Sequence, residues 1–274
     1  MAFVDDDACE CITNNLDLFT IPLMQKSVEN RKYVDYHLIN TIGDGSPIEF
    51  EIPSSGDEYL CNFMLYVRVN VVQANGQNLP NDTDVTPVNL FLHSLFSQVD
   101  ISLNGMLVMT ASDTYGYRAY IETLLSYGKD AKELQLSCSY FYKDRAGKFD
   151  NLGVAADNDT DAGYMWRNQF IRESQSVDMI GRIHADQFFQ ERYLLNEVNV
   201  KVKLTRSRDA FSLMGVAQHK VVIEEVILYV QKIKLSPAMF LAHAKALETT
   251  NAKYLVRRVI CKSSAIDPQS LVVK

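Results

Sequence analysis

The sequence predicts an all-β protein, an eight-stranded jelly-roll sandwich with one or two inserted helices. Three observations carry that prediction. Stretches 60–72 (LCNFMLYVRVNVV) and 198–204 (VNVKVKL) alternate with the period of two that marks a half-buried strand. In VDISLNGMLVMT (99–110), Asn104-Gly105 sits between two apolar runs. That is a strong hairpin signal, because both turn residues need positive φ and few residue types adopt it cheaply. The other strands are joined by long polar connections, which favours Greek-key or jelly-roll wiring over an up-and-down meander.

Each element follows in turn. Residues 1–30 are assigned to an extended arm, with acidic DDDACEC near its start and LDLFTIPLM (16–24), where Pro22 bars a helix interior. Strands are expected at YHLINTI (36–42) and PIEFEI (47–52), on either side of a turn built from Gly43, Asp44 and Gly45. After strand 60–72, residues 73–87 hold Gly, two Pro and many Asn and Asp, and form a loop. VNLFLHSLFSQ (88–98) fits either a buried strand or a short helix. TYGYRAYIETLLSYG (114–128) spaces Tyr117, Tyr120, Ile121, Leu124 and Leu125 as one helix face, with Asp113 as cap and Gly128 as stop. Residues 144–163 are polar and Gly/Asp-rich, an exposed insertion loop. Strands resume at 175–186, 198–206 and 220–235, where the last is long. Val67, Val69, Val71, Val198, Val200, Val202 and Leu204 should point into the core. Ser236 and Pro237 then open a helix with Phe240, Leu241, Ala244 and Leu247 on one face. YLVRRVICKSSAI (254–266) reads as one more strand with no neighbour to pair with, so its partners should lie in a second domain.

Composition bounds the function. Of 274 residues, 47% are hydrophobic, enough for a packed core. The net charge of -7 disfavours a nucleic-acid surface, which needs clustered Lys and Arg to displace counterions. No apolar run approaches the ~18 residues of a membrane span. The acidic N-terminus lacks the features of a signal peptide. The five cysteines are therefore expected to be reduced thiols of a protein made intracellularly.

Chemistry-bearing motifs are sparse. His184 and Asp186, two apart in IHAD, could place two metal ligands on one strand face, as in a cupin. The other histidines, His37, His93, His219 and His243, are scattered one per element, and a structural hydrogen-bonded pair is the preferred reading. Asp5, Asp6, Asp7, Cys9, Glu10 and Cys11 lack the second ligand pair of a structural zinc site. Phosphate-loop, nucleophile-elbow, zincin and dinucleotide motifs are absent, so no catalytic residue, metal or cofactor is assigned. Lys201, Lys203, Arg206 and Arg208 form a basic cluster with no interleaved aromatics, which is better read as a solvated strand face than as a nucleic-acid contact. Tyr115, Tyr117, Tyr120 and Tyr127 suit core packing in part and a subunit contact in part.

Long phrases carry a resemblance: LDLFTIP, YHLINTIGDGSPIEFEI, VNLFLHSLFSQVDISLNG, TYGYRAYIETLLSYG, FYKDRAGKFD, VDMIGRIHADQFFQERYLLN and LSPAMFLAHAKALE. Together, from about Leu16 to Cys261, they resemble the hexon-like major capsid proteins of Polinton/Maverick elements and adintoviruses. The resemblance implies a double jelly roll that trimerises into pseudo-hexameric capsomers of an icosahedral virion shell. It also implies neighbouring capsomers and a penton or minor capsid protein as partners, with no membrane or specific nucleic acid. The expected layout is an arm at 1–30, a first jelly roll at 31–235, a linker helix at 236–250 and the first strand of a truncated second jelly roll at 251–274. Contacts are expected from loops 73–87 and 144–163 and helix 116–127. Alternative readings are a metal- or sugar-binding cupin-like protein and a penton-type minor capsid protein.

Overall fold

A computed structural model describes residues 25–43, 45–54, 56–111, 113–147, 162–215, 218–256 and 259–262. The arm up to residue 24, with its Cys9 and Cys11, therefore lies outside the described residues, as do 148–161 of the insertion loop.

The strands are β1 (Val28–Tyr36), β2 (Ile48–Ile52), β3 (Glu58–Gln73), β4 (Thr86–Pro87), β5 (Phe96–Leu103), β6 (Met106–Ala111), β7 (Val177–Arg182), β8 (Val200–Arg206), β9 (Leu213–Met214) and β10 (His219–Leu235). The helices are α1 (Phe91–Ser94), α2 (Tyr115–Ser126), α3 (Lys129–Glu133), α4 (Ala162–Gln169), α5 (Asp209–Ser212) and α6 (Pro237–Leu247). Two four-stranded sheets, β1-β10-β3-β7 and β2-β8-β5-β6, face each other, and the two-residue β4 and β9 pair separately. Among the eight long strands in chain order, the first pairs with the eighth and the third with the sixth. In the other sheet the second pairs with the seventh and the fourth with the fifth. This is the wiring of a long hairpin rolled onto itself, the jelly roll that the long connections predict.

The core forms where the two alternating patterns meet. Val67, Val69 and Val71 from β3 face Val200, Val202 and Leu204 from β8, all fully buried. Each such side chain contributes roughly 1.5–3 kcal/mol. Val198 is only half-buried, because β8 starts at Val200 and Val198 packs on the core's rim. The long β10 is antiparallel to β3 over nearly its whole length, with Val226 opposite Val67 and Lys234 opposite Glu58.

The Asn104-Gly105 turn closes β5 and β6, with φ of 48° and 79°. Gly105→Val places a β-branched residue in the left-handed region. It should cost about 1–2 kcal/mol without altering the core, which a thermal melt will report.

Two expectations are corrected and one left open is resolved. The first strand is Val28–Tyr36, not YHLINTI, so the sandwich begins inside the expected arm. It pairs with β10 from Val28↔Leu235 to Tyr36↔Leu228. Its mostly exposed, charge-rich face suits an edge strand and hides any hydrophobic pattern. VNLFLHSLFSQ divides: α1 takes Phe91–Ser94 and β5 begins at Phe96. The described residues of YLVRRVICKSSAI, 254–256 and 259–262, carry no strand. Leu255 is 94% exposed. Tyr254 is the anchored residue: its hydroxyl accepts from Leu195 N–H at 2.9 Å and donates to the Tyr193 carbonyl at 3.1 Å.

Candidate interaction surface

Helix α2 is amphipathic in the reverse of the expected sense. The face turned inward carries Tyr115, Arg118, Ala119 and Thr123, all buried. Of the predicted apolar face, Tyr117, Ile121, Leu124 and Leu125 are exposed, Leu125 by 82%, while Tyr120 packs half-buried beside Phe141. Tyr115 is core, Tyr127 is half-buried, and Tyr117 meets the Phe211 ring edge-on at 5.2 Å. Asp113 does not cap the helix. Its φ is 47°, and Thr114 holds the cap position, its hydroxyl donating to the Cys261 carbonyl at 3.2 Å rather than capping the helix. The helix ends at Tyr127, whose backbone is extended, rather than at Gly128.

The inward face is held by a charge network that the sequence does not reveal. Arg118, 4% exposed, donates to Glu122 at 2.9 Å and to Asp186 at 2.5 Å. His184 Nδ1–H donates to the second Glu122 oxygen at 2.8 Å. Tyr115 accepts the His184 backbone N–H at 3.2 Å, and its own O–H lies 3.0 Å from His93 Nδ1. The His93 and His184 rings meet edge-to-face at 4.7 Å. Burial pushes the Glu122 carboxyl up, but hydrogen bonds from His184 and Arg118 outweigh it, and the group titrates below the usual carboxylate range. Burial raises the Tyr115 hydroxyl and, with His184 beside it, drives His93 well below an ordinary imidazole.

This network replaces the reading of His184 and Asp186 as co-ligands or as a mutual pair. β7 ends at Arg182, and Asp186 begins a 3-10 turn, so the two are not on one strand face. Each has a different partner on α2, and no cluster of three metal-ligating side chains occurs among the described residues. Only an i, i+4 Arg118–Glu122 pair on an apolar helix could have hinted at this from sequence.

The basic cluster is largely neutralised by its own neighbours. Glu49 of the adjacent strand lies 2.8 Å from Lys201 and 3.8 Å from Lys203, and Arg206 pairs with Asp209 at 3.0 Å. Lys201 holds the Glu49 carboxyl below its ordinary range. The arrangement matches a solvated strand face with cross-strand pairs.

The loops expected to make contacts differ from each other. Much of 73–87 is locked inward: Leu79, Thr83, Val85 and Thr86 are buried. Asn168 on α4 donates to the Thr83 and Val85 carbonyls at 2.9 and 2.7 Å, and Tyr164 donates to the Asp84 carbonyl. Arg167, 1% exposed, ties α4 to Asp144 at 2.6 Å and to the carbonyls of Pro87 and Tyr142. The start of the insertion is thus a structural strut.

Exposed apolar side chains instead concentrate elsewhere. The β5–β6 hairpin end shows Met106, Leu107 and Val108. Val108 of β6, Thr114 at the start of α2, and Val256, Val259 and Ile260 line a common cleft. Leu241 and Leu247 of α6 are exposed as well, with Phe240 tucked beside Tyr59, Ile233 and Leu235. No described helix is long and apolar enough to cross a membrane. Exposed apolar side chains gathered in this way suit burial against another surface.

No protein-family model matches the chain. Over 193 residues it is 28% identical to an uncharacterized Caenorhabditis elegans protein, covering 66% of this chain and 42% of that one. The fold is similar to a chain of the Sputnik virophage solved by cryo-EM, with TM-score 0.56, 11% identity, and coverage of 84% of this chain and 53% of that one. It is similar to the Faustovirus major capsid protein, with TM-score 0.52, 10% identity and coverage of 84% and 58%. The chain therefore spans about half the length of these structures and less than half of its worm relative. At such identities the likeness establishes the fold.

Proposed function

We propose that this jelly roll is a structural capsid subunit whose activity is self-association into a shell. One observation carries the reading: the eight-strand order, matched along most of this chain, corresponds to about half of a viral major capsid chain. The proposed whole subunit has two jelly rolls, with α6 linking them and residues 251–274 leading into the second. Exposed Leu241, Leu247, Leu255 and Ile260 support this, since a neighbouring sandwich would cover them. The finer reading is a homotrimer forming pseudo-hexameric capsomers, joined by a penton protein, in a virion of Polinton/Maverick or adintovirus type. Its mechanism is geometric, with rigid sandwiches presenting apolar faces for burial between subunits.

Sedimentation velocity tests self-association. The chain is expected to associate with rising concentration, and Ile121→Asp/Leu125→Asp, which charges the exposed α2 face, to shift it to monomer. A chain that stays monomeric at every concentration overturns the reading.

A further inference from the structure

A cavity of about 280 Å³ lies between β1, β3 and β10 on one side and residues 187–194 on the other. Arg31 of β1, Arg182 at the end of β7 and Arg192 line it. Four other arginines rest on carboxylates: Arg68 on Asp178, Arg118 on Asp186, Arg167 on Asp144, Arg206 on Asp209. Arg31, Arg182 and Arg192 form no ion pair with any described carboxylate. Each instead donates to one neutral oxygen. Arg31 reaches the Tyr193 hydroxyl at 3.2 Å, Arg182 the Asn62 amide oxygen at 2.6 Å, and Arg192 the Lys253 carbonyl at 2.6 Å. A guanidinium has five N–H donors, so most of this donor capacity is unused. Glu191 is the acidic side chain on the wall, one carboxylate against three guanidiniums.

Two further features point to a ligand. Gln187 and Gln190 line the same cavity, and the side-chain oxygen of each is buried without a hydrogen-bond partner. An amide turned by half a revolution presents its NH₂ at that place, ready to donate. The fields of Arg31 and Arg182 also converge on one wall group. Burial pushes the Cys61 thiol up, and both guanidiniums pull it down. Arg182 is held in place by the Phe189 ring, 5.0 Å from its centroid.

We propose that this cavity is an anion site for a phosphate-type group. Three guanidinium forks arriving from different elements suit a tetrahedral anion with oxygens in several directions. A planar carboxylate offers two oxygens and can satisfy only one fork in bidentate fashion. Bound there, the anion ties edge strand β1 to the 187–194 segment. The site is independent of the assembly reading.

Isothermal titration calorimetry of the whole chain at constant ionic strength tests it, with phosphate, pyrophosphate and acetate as probes. Phosphate and pyrophosphate are expected to bind and to raise the melting temperature. Arg31→Gln/Arg192→Gln removes two exposed guanidiniums without touching the core. It should weaken binding by at least about tenfold, because a charge-assisted hydrogen bond is worth that factor or more. Lys129→Gln, a charge change on distant α3, should leave the affinity unchanged. The proposal is overturned by absence of heat and thermal shift with both phosphates, by equal affinity in the double variant, or by loss of affinity in Lys129→Gln. Acetate binding as tightly as phosphate overturns the phosphate class.

Discussion

Replacing Arg167 with Met should lower the free energy of unfolding by about 3–5 kcal/mol, the range for removing one partner of a buried ion pair. The side chain is 1% exposed and is the hub joining α4 to the rest of the molecule. Its loss takes the guanidinium away from the Asp144 carboxylate, half of a 2.6 Å pair. It also strips a donor from the Pro87 carbonyl at 2.9 Å and the Tyr142 carbonyl at 3.0 Å. A Met fills the volume, so the cost is electrostatic rather than a cavity. Urea unfolding followed by the fluorescence of Trp166, the chain's single tryptophan and a neighbour of the substituted residue, reads the change directly. Asp144→Asn in the same chain should recover part of the loss, because it removes the carboxylate charge that Arg167 faced. A loss below about 1 kcal/mol would show that α4 is held mainly by Asn168 and Tyr164 rather than by the ion pair.

Acidification should destabilise the fold from about pH 6.5 downward, and His93 should set the slope. Burial first, and the neighbouring His184 second, hold its pKa well below the ordinary 6.5. Arg118, Glu122 and Asp186 stand in the same network. An unfolded chain takes up a proton at His93 near pH 6.5, whereas the folded one does not. The unfolded state therefore binds more protons in that window, and stability falls as pH falls, by about 1.4 kcal/mol per pH unit. Glu122 adds to it at lower pH. Its depressed folded pKa gives stability that is present above the ordinary carboxylate range and lost as pH drops through and below it. Denaturant midpoints measured across pH 5–7.5 test this. His93→Gln should flatten the slope whatever its effect on absolute stability. An equally steep slope in that variant would assign the proton to another group.

Much of the fold was legible in the residues themselves. The alternation in 60–72 and 198–204, the Asn104-Gly105 turn and the Ser236-Pro237 helix start are local signals. Their physical causes, side-chain period, positive φ and fixed proline φ, act within a few residues. The jelly-roll order followed from long connections between such strands. Other features depended on which segments meet across the fold. β1 is a strand because Leu228–Leu235 of β10 supplies its ladder, while the described residues of 254–262 carry no strand. Helix α2 shows the limit most sharply. By spacing alone, Tyr117, Ile121, Leu124 and Leu125 looked like the buried face. The opposite face is buried because Asp186 and His184 arrive from a distant segment to satisfy Arg118 and Glu122, with His93 against Tyr115 and the His184 ring. Periodicity records where apolar residues lie along a helix. Whether that face turns inward is settled by long-range partners that can hydrogen-bond the polar one, and only the tertiary structure brings them together.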